Sequence, residues 1–234
     1  MVDLLAPGRT RAWVANLRAA EIAPPRRRLP IGGPSYHHMM MLYESLAALG
    51  GRRFSIQGVG VERLDEAIGR GRGLLLVTVH VGNWNLGAQF VAARTRRPVH
   101  SVAGIQLVRG WTYPLRLALR RVGIRIHARD GAVARFTRIL RGGGIVALHL
   151  DGDQHSGPGP ATRGVALLAR RTGAAILPAI CLRERPGRLT VAFRATPSGG
   201  PATVSPECLE RVLLSLVREH PEQWTLFRPL WGNA

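Results

Sequence analysis

Two short runs, Leu74–Val79 and Ile145–Leu150, are apolar at nearly every position. A strand with one wetted face alternates apolar and polar side chains. A near-continuous run belongs to a strand covered on both faces, as inside a parallel sheet with helices above and below it. Phe54–Val59, Pro98–Ala103, Ile124–His127, Ala175–Leu182 and Leu189–Arg194 read as further strands. Segments of helical period separate most of them: Tyr36–Leu49, Val61–Gly69, Asn83–Ala93, Trp111–Arg121, Ala132–Leu140, Thr162–Thr172 and Pro206–Glu219. Gly50-Gly51, Gly142-Gly143-Gly144 and Gly173 stop helices, and Ser205-Pro206 caps and starts the last one. Arg185-Pro186-Gly187 is a turn between the last two strands. Alternating strands and helices predict an α/β fold: a single domain over residues 36–234 with a mostly parallel central sheet flanked by helices.

Residues 1–35 differ in character. Met1–Ala23 sets Leu4, Leu5, Trp13, Val14 and Leu17 among arginines, and Pro24-Pro25 and Gly32-Gly33-Pro34 follow. This basic N-terminal segment reads either as an interfacial helix or as a solvated tail. All 33 basic residues of the chain are arginine; against 14 carboxylates they leave a net charge of +19. Such a field draws polyanions: anionic lipid headgroups, acyl-carrier proteins, CoA phosphates or nucleic acid. No nucleic-acid-binding motif is present, so no nucleic acid is expected as a partner. Cys181 and Cys208 lack metal-ligand spacing, predict no metal site, and read as buried thiols in a reducing cytoplasm. No secretory leader is visible, and no apolar run approaches the ~18 residues of a spanning helix, so membrane contact is expected to be peripheral.

His80 directly follows the run Leu74–Val79 and precedes a helix, with Gly82 allowing a tight turn between them. In open α/β sheets ligands bind at the carboxyl ends of strands, where His80 stands. Asp151 and Asp153 end the second buried run. Met40 lies on the Met-rich helix Tyr36–Leu49, a candidate wall for an apolar ligand. Arg109, with Arg116, Arg120 and Arg121, is a candidate for binding phosphates or forms a solvated basic face.

The stretch His80-Val81-Gly82-Asn83-Trp84-Asn85 resembles the His-x-x-x-x-(Asp/Glu) motif of the lysophospholipid acyltransferase superfamily. It is similar in particular to the lipid A lauroyl/myristoyl acyltransferase branch and the phosphatidylinositol mannoside acyltransferases. Three further stretches match that branch in order. They are Asp151-Gly152-Asp153-Gln154, Gly164–Pro178 with its Leu-Ala and Gly-Ala pairs, and His220-Pro221-Glu222-Gln223-Trp224. The likeness covers about residues 36–231.

The resemblance implies an acyltransferase. The donor would be an acyl thioester on CoA or on acyl carrier protein, with no permanently bound cofactor. The acceptor would be the hydroxyl or amine of a lipid, glycolipid or smaller molecule, and the work would be done from the cytoplasm at the inner face of the plasma membrane. His80 would be the general base, with Gly82, Asn83, Trp84, Arg109 and Met40 around the substrate. The chain departs from the motif at Asn85, where the family has Asp or Glu. Asn can orient a ring but offers the imidazolium no charge. Three outcomes stay open: Asn85 holds His80 by itself, Asp151 or Asp153 supplies the carboxylate, or the chain is a catalytically degenerate lipid- or polyanion-binding protein.

Overall fold

A computed structural model describes residues 7–24, 33–102, 112–152, 158–195, 200–228 and 230. Among them seven strands form one sheet: β1 (Ser55–Val59), β2 (Leu74–Thr78), β3 (Val99–Val102), β4 (Ile124–His127), β5 (Ile145–His149), β6 (Ala175–Arg185) and β7 (Arg188–Phe193). Their spatial order is β1-β7-β6-β2-β5-β3-β4. Neighbours run parallel except β6 and β7, which the turn at Pro186-Gly187 folds back antiparallel. The helices are α1 (Pro7–Ala19), α2 (Pro34–Leu49), α3 (Val61–Gly69), α4 (Trp84–Thr95), α5 (Thr112–Arg121), α6 (Ala132–Arg141), α7 (Pro158–Thr172), α8 (Gly200–Thr203) and α9 (Pro206–Glu219). A 3-10 turn, Pro221–Gln223, follows α9.

The period of two along each strand sorts the core into two layers. Leu75, Val77, Val146, Ile176 and Ile180 pack with Leu17 of α1, Leu140 of α6, Val165 of α7 and Leu213 of α9. Leu74, Leu76, Val99, Ile145 and Leu177 pack on the other side with Leu64 of α3 and Leu86 and Val91 of α4. All five residues of β2 are buried, as its nearly continuous apolar run predicts. Strand β6 runs three residues beyond the expected Leu182, carrying the buried Arg183 inside the sheet. α7 starts at Pro158 rather than Thr162, and the short α8 has no counterpart among the helices expected from the sequence.

Of the N-terminal segment, the structure describes residues 7–24 and 33–35. α1 forms in the first stretch, and Trp13 and Leu17, two of the five apolar groups offered to a lipid surface, lie in the core at 7% and 0% exposure, while Leu4 and Leu5 lie outside the described residues. The Trp13 indole N–H donates to the Pro221 carbonyl at 3.2 Å, and the Asn16 amide donates to the Arg228 carbonyl at 2.7 Å. The helix is thus bound to the end of the domain by its apolar side. Among the described residues no helix is long and apolar enough to cross a membrane.

Trp13→Ala removes a buried indole and its hydrogen bond, so it should destabilise the fold by about 3–5 kcal/mol. Urea unfolding followed by far-UV circular dichroism checks this, and an unchanged midpoint would show that α1 is a detachable tail.

Candidate active site

The site is built by strand register. Thr78 of β2 and His149 of β5 are direct partners in the parallel ladder. Two residues further, the chains leave the sheet together, which sets His80 beside Asp151. The Asp151 carboxylate is fully buried and receives three donors. His80 Nδ1 lies 2.9 Å from Oδ1, and the His80 backbone N–H reaches Oδ2 at 2.9 Å. The Trp224 indole N–H reaches Oδ2 at 3.0 Å. Burial pushes the Asp151 acid up, but the His80 ring and its hydrogen bonds, aided by His149, outweigh this and leave it at about 2. An ionised carboxylate only accepts hydrogen bonds, so it fixes the His80 proton on Nδ1 and leaves Nε2 as the basic nitrogen.

The loop that carries His80 is stitched on both sides. Its Gly82 N–H donates to the Gln223 carbonyl at 3.0 Å, Asn83 N–H to the Cys181 carbonyl at 2.8 Å, and Thr225 N–H to the His80 carbonyl at 2.8 Å. Gly82 has φ +65°, and a Cβ there would stand 2.0 Å from the Cys181 carbonyl oxygen, so only glycine fits. Asn83 is fully buried. Its Oδ1 caps α4 by accepting from Leu86 N–H at 3.1 Å, and its amide donates to Glu44 at 2.9 Å. Expected at the substrate, Gly82 and Asn83 instead shape the turn. The same bonds give the Pro221-Glu222-Gln223-Trp224 stretch its purpose: it clamps the loop and touches the acid.

Beneath the loop sits a buried ion pair. Glu44 of α2 takes both oxygens to Arg183 of β6, Nε to Oε1 and Nη2 to Oε2, each at 2.7 Å. Arg183 Nη1 lies 2.9 Å from His37 Nδ1, and Gln223 bridges the Arg183 backbone at 2.9 and 3.1 Å. A helix, a strand, the cap of α4 and the C-terminal turn thus meet on one bidentate pair.

An apolar cavity of about 110 Å³ lies between α4 and the sheet. Leu76, Val99, Ile124, Ala147, Ala179 and Val191 line it, with Trp84, Asn85, Thr78 and His149 also on its wall. His80 stacks on His149 with ring centroids 4.1 Å apart and meets Trp84 edge-on at 4.7 Å. The His80 side chain stays 21% exposed, so the ring stands between solvent and the cavity wall. His149 is half-buried; burial, and then the His80 ring, hold it neutral with a pKa of about 3. Its Nε2 is buried and has no hydrogen-bond partner among the described residues. Cys181 also lines the cavity, and burial followed by the Glu44 charge pushes its thiol up to about 12, which leaves no thiolate.

Of the residues expected at the site, His80, Asp151 and Trp84 come together. Asn85 lines the cavity but does not hold the His80 ring. Its amide donates to Ser45 Oγ at 3.3 Å and Met41 Sδ at 3.7 Å, while the ring nitrogen is held by Asp151. Helix α4 begins at Trp84 and turns the Asn85 amide toward α2. Met40 is half-buried and is not on the cavity wall; its neighbour Met41 is the one that packs inward. Asp153 and Arg109 lie outside the described residues. Sequence reasoning missed His149, Glu44, Arg183 and Arg228, whose Nη2 donates to the Asp151 carbonyl at 3.0 Å. Two of these had a signal: Glu44 falls on the buried stripe of its helix, and Arg183 follows an unbroken apolar strand. Among the described residues no group of three His, Cys, Asp or Glu side chains could hold a metal ion.

The buried charges can be tested in two ways. Glu44→Leu strands the Arg183 guanidinium and should cost about 3–5 kcal/mol, while Glu44→Leu with Arg183→Met should recover most of it; chemical denaturation of the three proteins measures both. His149 is neutral when folded and titrates near 6.5 when unfolded, so its contribution to stability is complete above that pH and is lost as pH falls toward 3. The melting temperature of His149→Phe should therefore fall less between pH 7 and 4 than that of the wild type. Parallel curves would show that the ring is not held neutral.

The profile of the bacterial lipid A biosynthesis acyltransferase family matches residues 51–233. That span holds His80, Asp151, the cavity and the C-terminal clamp. No curated protein matches the chain. With the greater part of its length matched, the chain belongs to the bacterial lipid A biosynthesis acyltransferase family.

Proposed function

We propose that the chain moves a fatty acyl group from an acyl thioester, on CoA or acyl carrier protein, to the hydroxyl or amine of a lipid or glycolipid. His80 is the general base and Asp151 its orienting carboxylate. The observation that carries this is the ionised Asp151 on His80 Nδ1, beside a cavity wall of apolar side chains. Family membership supports acyl transfer; the donor, the acceptor and the base are our own assignment.

The chemistry is one displacement in two stages. The acceptor oxygen or nitrogen attacks the thioester carbonyl carbon while its proton passes to His80 Nε2. The imidazolium is stabilised by the Asp151 charge, and the carbonyl oxygen becomes an oxyanion. Neutral His149, its Nε2 without a partner among the described residues, is a donor for that oxyanion in its Nε2–H form. The tetrahedral species then collapses, the C–S bond breaks, and the thiolate takes the proton from His80. No covalent enzyme intermediate is needed, in keeping with the protonated Cys181 thiol. The acyl tail lies in the cavity under α4. The rival reading, a polyanion-binding protein without turnover, leans on Asn85 and the +19 charge; the Asp151 carboxylate on His80 Nδ1 supports turnover instead. The reaction is placed at the cytoplasmic face of a membrane, where acyl thioesters and lipid acceptors meet.

The test is thiol release from a long-chain acyl-CoA in the presence of candidate lipid acceptors. His80→Ala should slow it by about 10²–10⁴-fold. Asp151→Asn should cost on the order of 10⁴, the loss found when the carboxylate of a Ser-His-Asp triad becomes an amide. Ala147→Phe, which fills the cavity floor, should abolish long-chain transfer and spare acetyl-CoA. Unchanged turnover in His80→Ala with its fold intact refutes the assignment.

A further inference from the structure

One helix has an apolar side that the described residues leave open. On α2, Met39, Leu42, Tyr43 and Leu46 recur at i, i+3, i+4 and i+7 and are 54%, 42%, 49% and 64% exposed. Scattered apolar side chains on a surface are ordinary; four large ones in a continuous stripe are not. The opposite side of the same helix is buried, and there Glu44 and Ser45 bond Asn83 and Met41 contacts the Asn85 amide. So α2 frames the His80 loop with its inner side while its outer side is greasy.

The stripe's surroundings are basic. The Arg52 guanidinium lies over the Tyr43 ring at 5.8 Å and donates to the Tyr43 hydroxyl. Near the other end, Arg9 lies over Phe227 at 5.4 Å, and His38 of α2 meets that same ring edge-on. The single carboxylate of α2, Glu44, is buried on Arg183, and Glu222 of the turn packed beside α2 is paired with His220 at 3.2 Å. The whole chain carries +19. An apolar stripe between arginines, with no exposed acid on the helix, suits the headgroup layer of an anionic bilayer. A second copy of the chain suits it poorly, because a two-fold contact through the stripe would bring arginines toward arginines.

We propose that α2 is the membrane-docking surface of this protein: Met39, Leu42, Tyr43 and Leu46 enter the interface of an anionic bilayer, and Arg9 and Arg52 meet its phosphates. This deepens the acyl-transfer reading and rests on it for its purpose, since docking on α2 sets the His80 loop one helix width from its lipid acceptor.

The experiment is sedimentation of the full chain with vesicles of phosphatidylcholine alone or mixed with phosphatidylglycerol. The wild type should bind the mixed vesicles, and Met39→Glu/Leu46→Glu should bind at least ten-fold more weakly with an unchanged melting temperature. Met39→Ser/Leu46→Ser, a milder pair, should shift binding in the same direction, and Arg52→Glu should weaken binding to the anionic vesicles. Wild-type binding by both double variants, or no binding by the wild type, overturns the proposal. So does a lipid-free dimer, seen by sedimentation velocity, that the double variants convert to monomer. His80→Ala should still bind vesicles fully, so loss of docking with thiol release intact sinks this inference alone.

Discussion

Asp151 has no contact with water, and its charge is held in place by three N–H groups. Stripping a carboxylate of solvent is costly unless each lone pair finds a donor. Here the donors come from the strand end, from the imidazole and from Trp224, so the charge, the loop and the C-terminal segment belong to a single arrangement. Remove any donor and the carboxylate drifts toward its protonated form, which would unfix the His80 tautomer. The packing of Trp224 against the Val81 backbone follows from the same requirement, because the indole must stay within reach of Oδ2.

The Glu44–Arg183 pair has a parallel role in the layer below. Buried ion pairs contribute little net stability compared with apolar replacements of equal volume. What this pair contributes is position: its polar atoms meet Asn83, His37 and Gln223 at fixed distances, and the loop bearing His80 hangs from Asn83 and Gln223. Two buried charges at different depths thus define one short turn, with Gly82 pressed against the Cys181 carbonyl between them.

The fold was legible where burial writes itself into composition. Leu74–Val79 could only be a strand covered on both faces, and glycines and prolines marked the ends of the helices. His80 was legible because a polar ring at the end of such a run stands out. The position of Asn85 was not: a spacing of five residues assumes that the next helix turns its first residues toward the ring, and α4 turns this one toward Ser45 and Met41. The partner of His80 depends instead on β2 lying beside β5, a long-range pairing that no local pattern encodes. For the same reason Trp13 misled, since an amphipathic helix looks alike whether its apolar side meets lipid or the core. His149 was hidden inside an apolar run, where a single polar residue reads as an interruption.

His80 and Asp151 are 71 positions apart in the chain, and they meet only because two non-consecutive strands lie side by side. No fragment that lacks either strand contains the pair, and closing the chain over such a distance carries an entropic cost that local contacts do not. A half-made or proteolysed chain that lacks either strand therefore carries the histidine without its carboxylate. The pair exists only once both strands are in place.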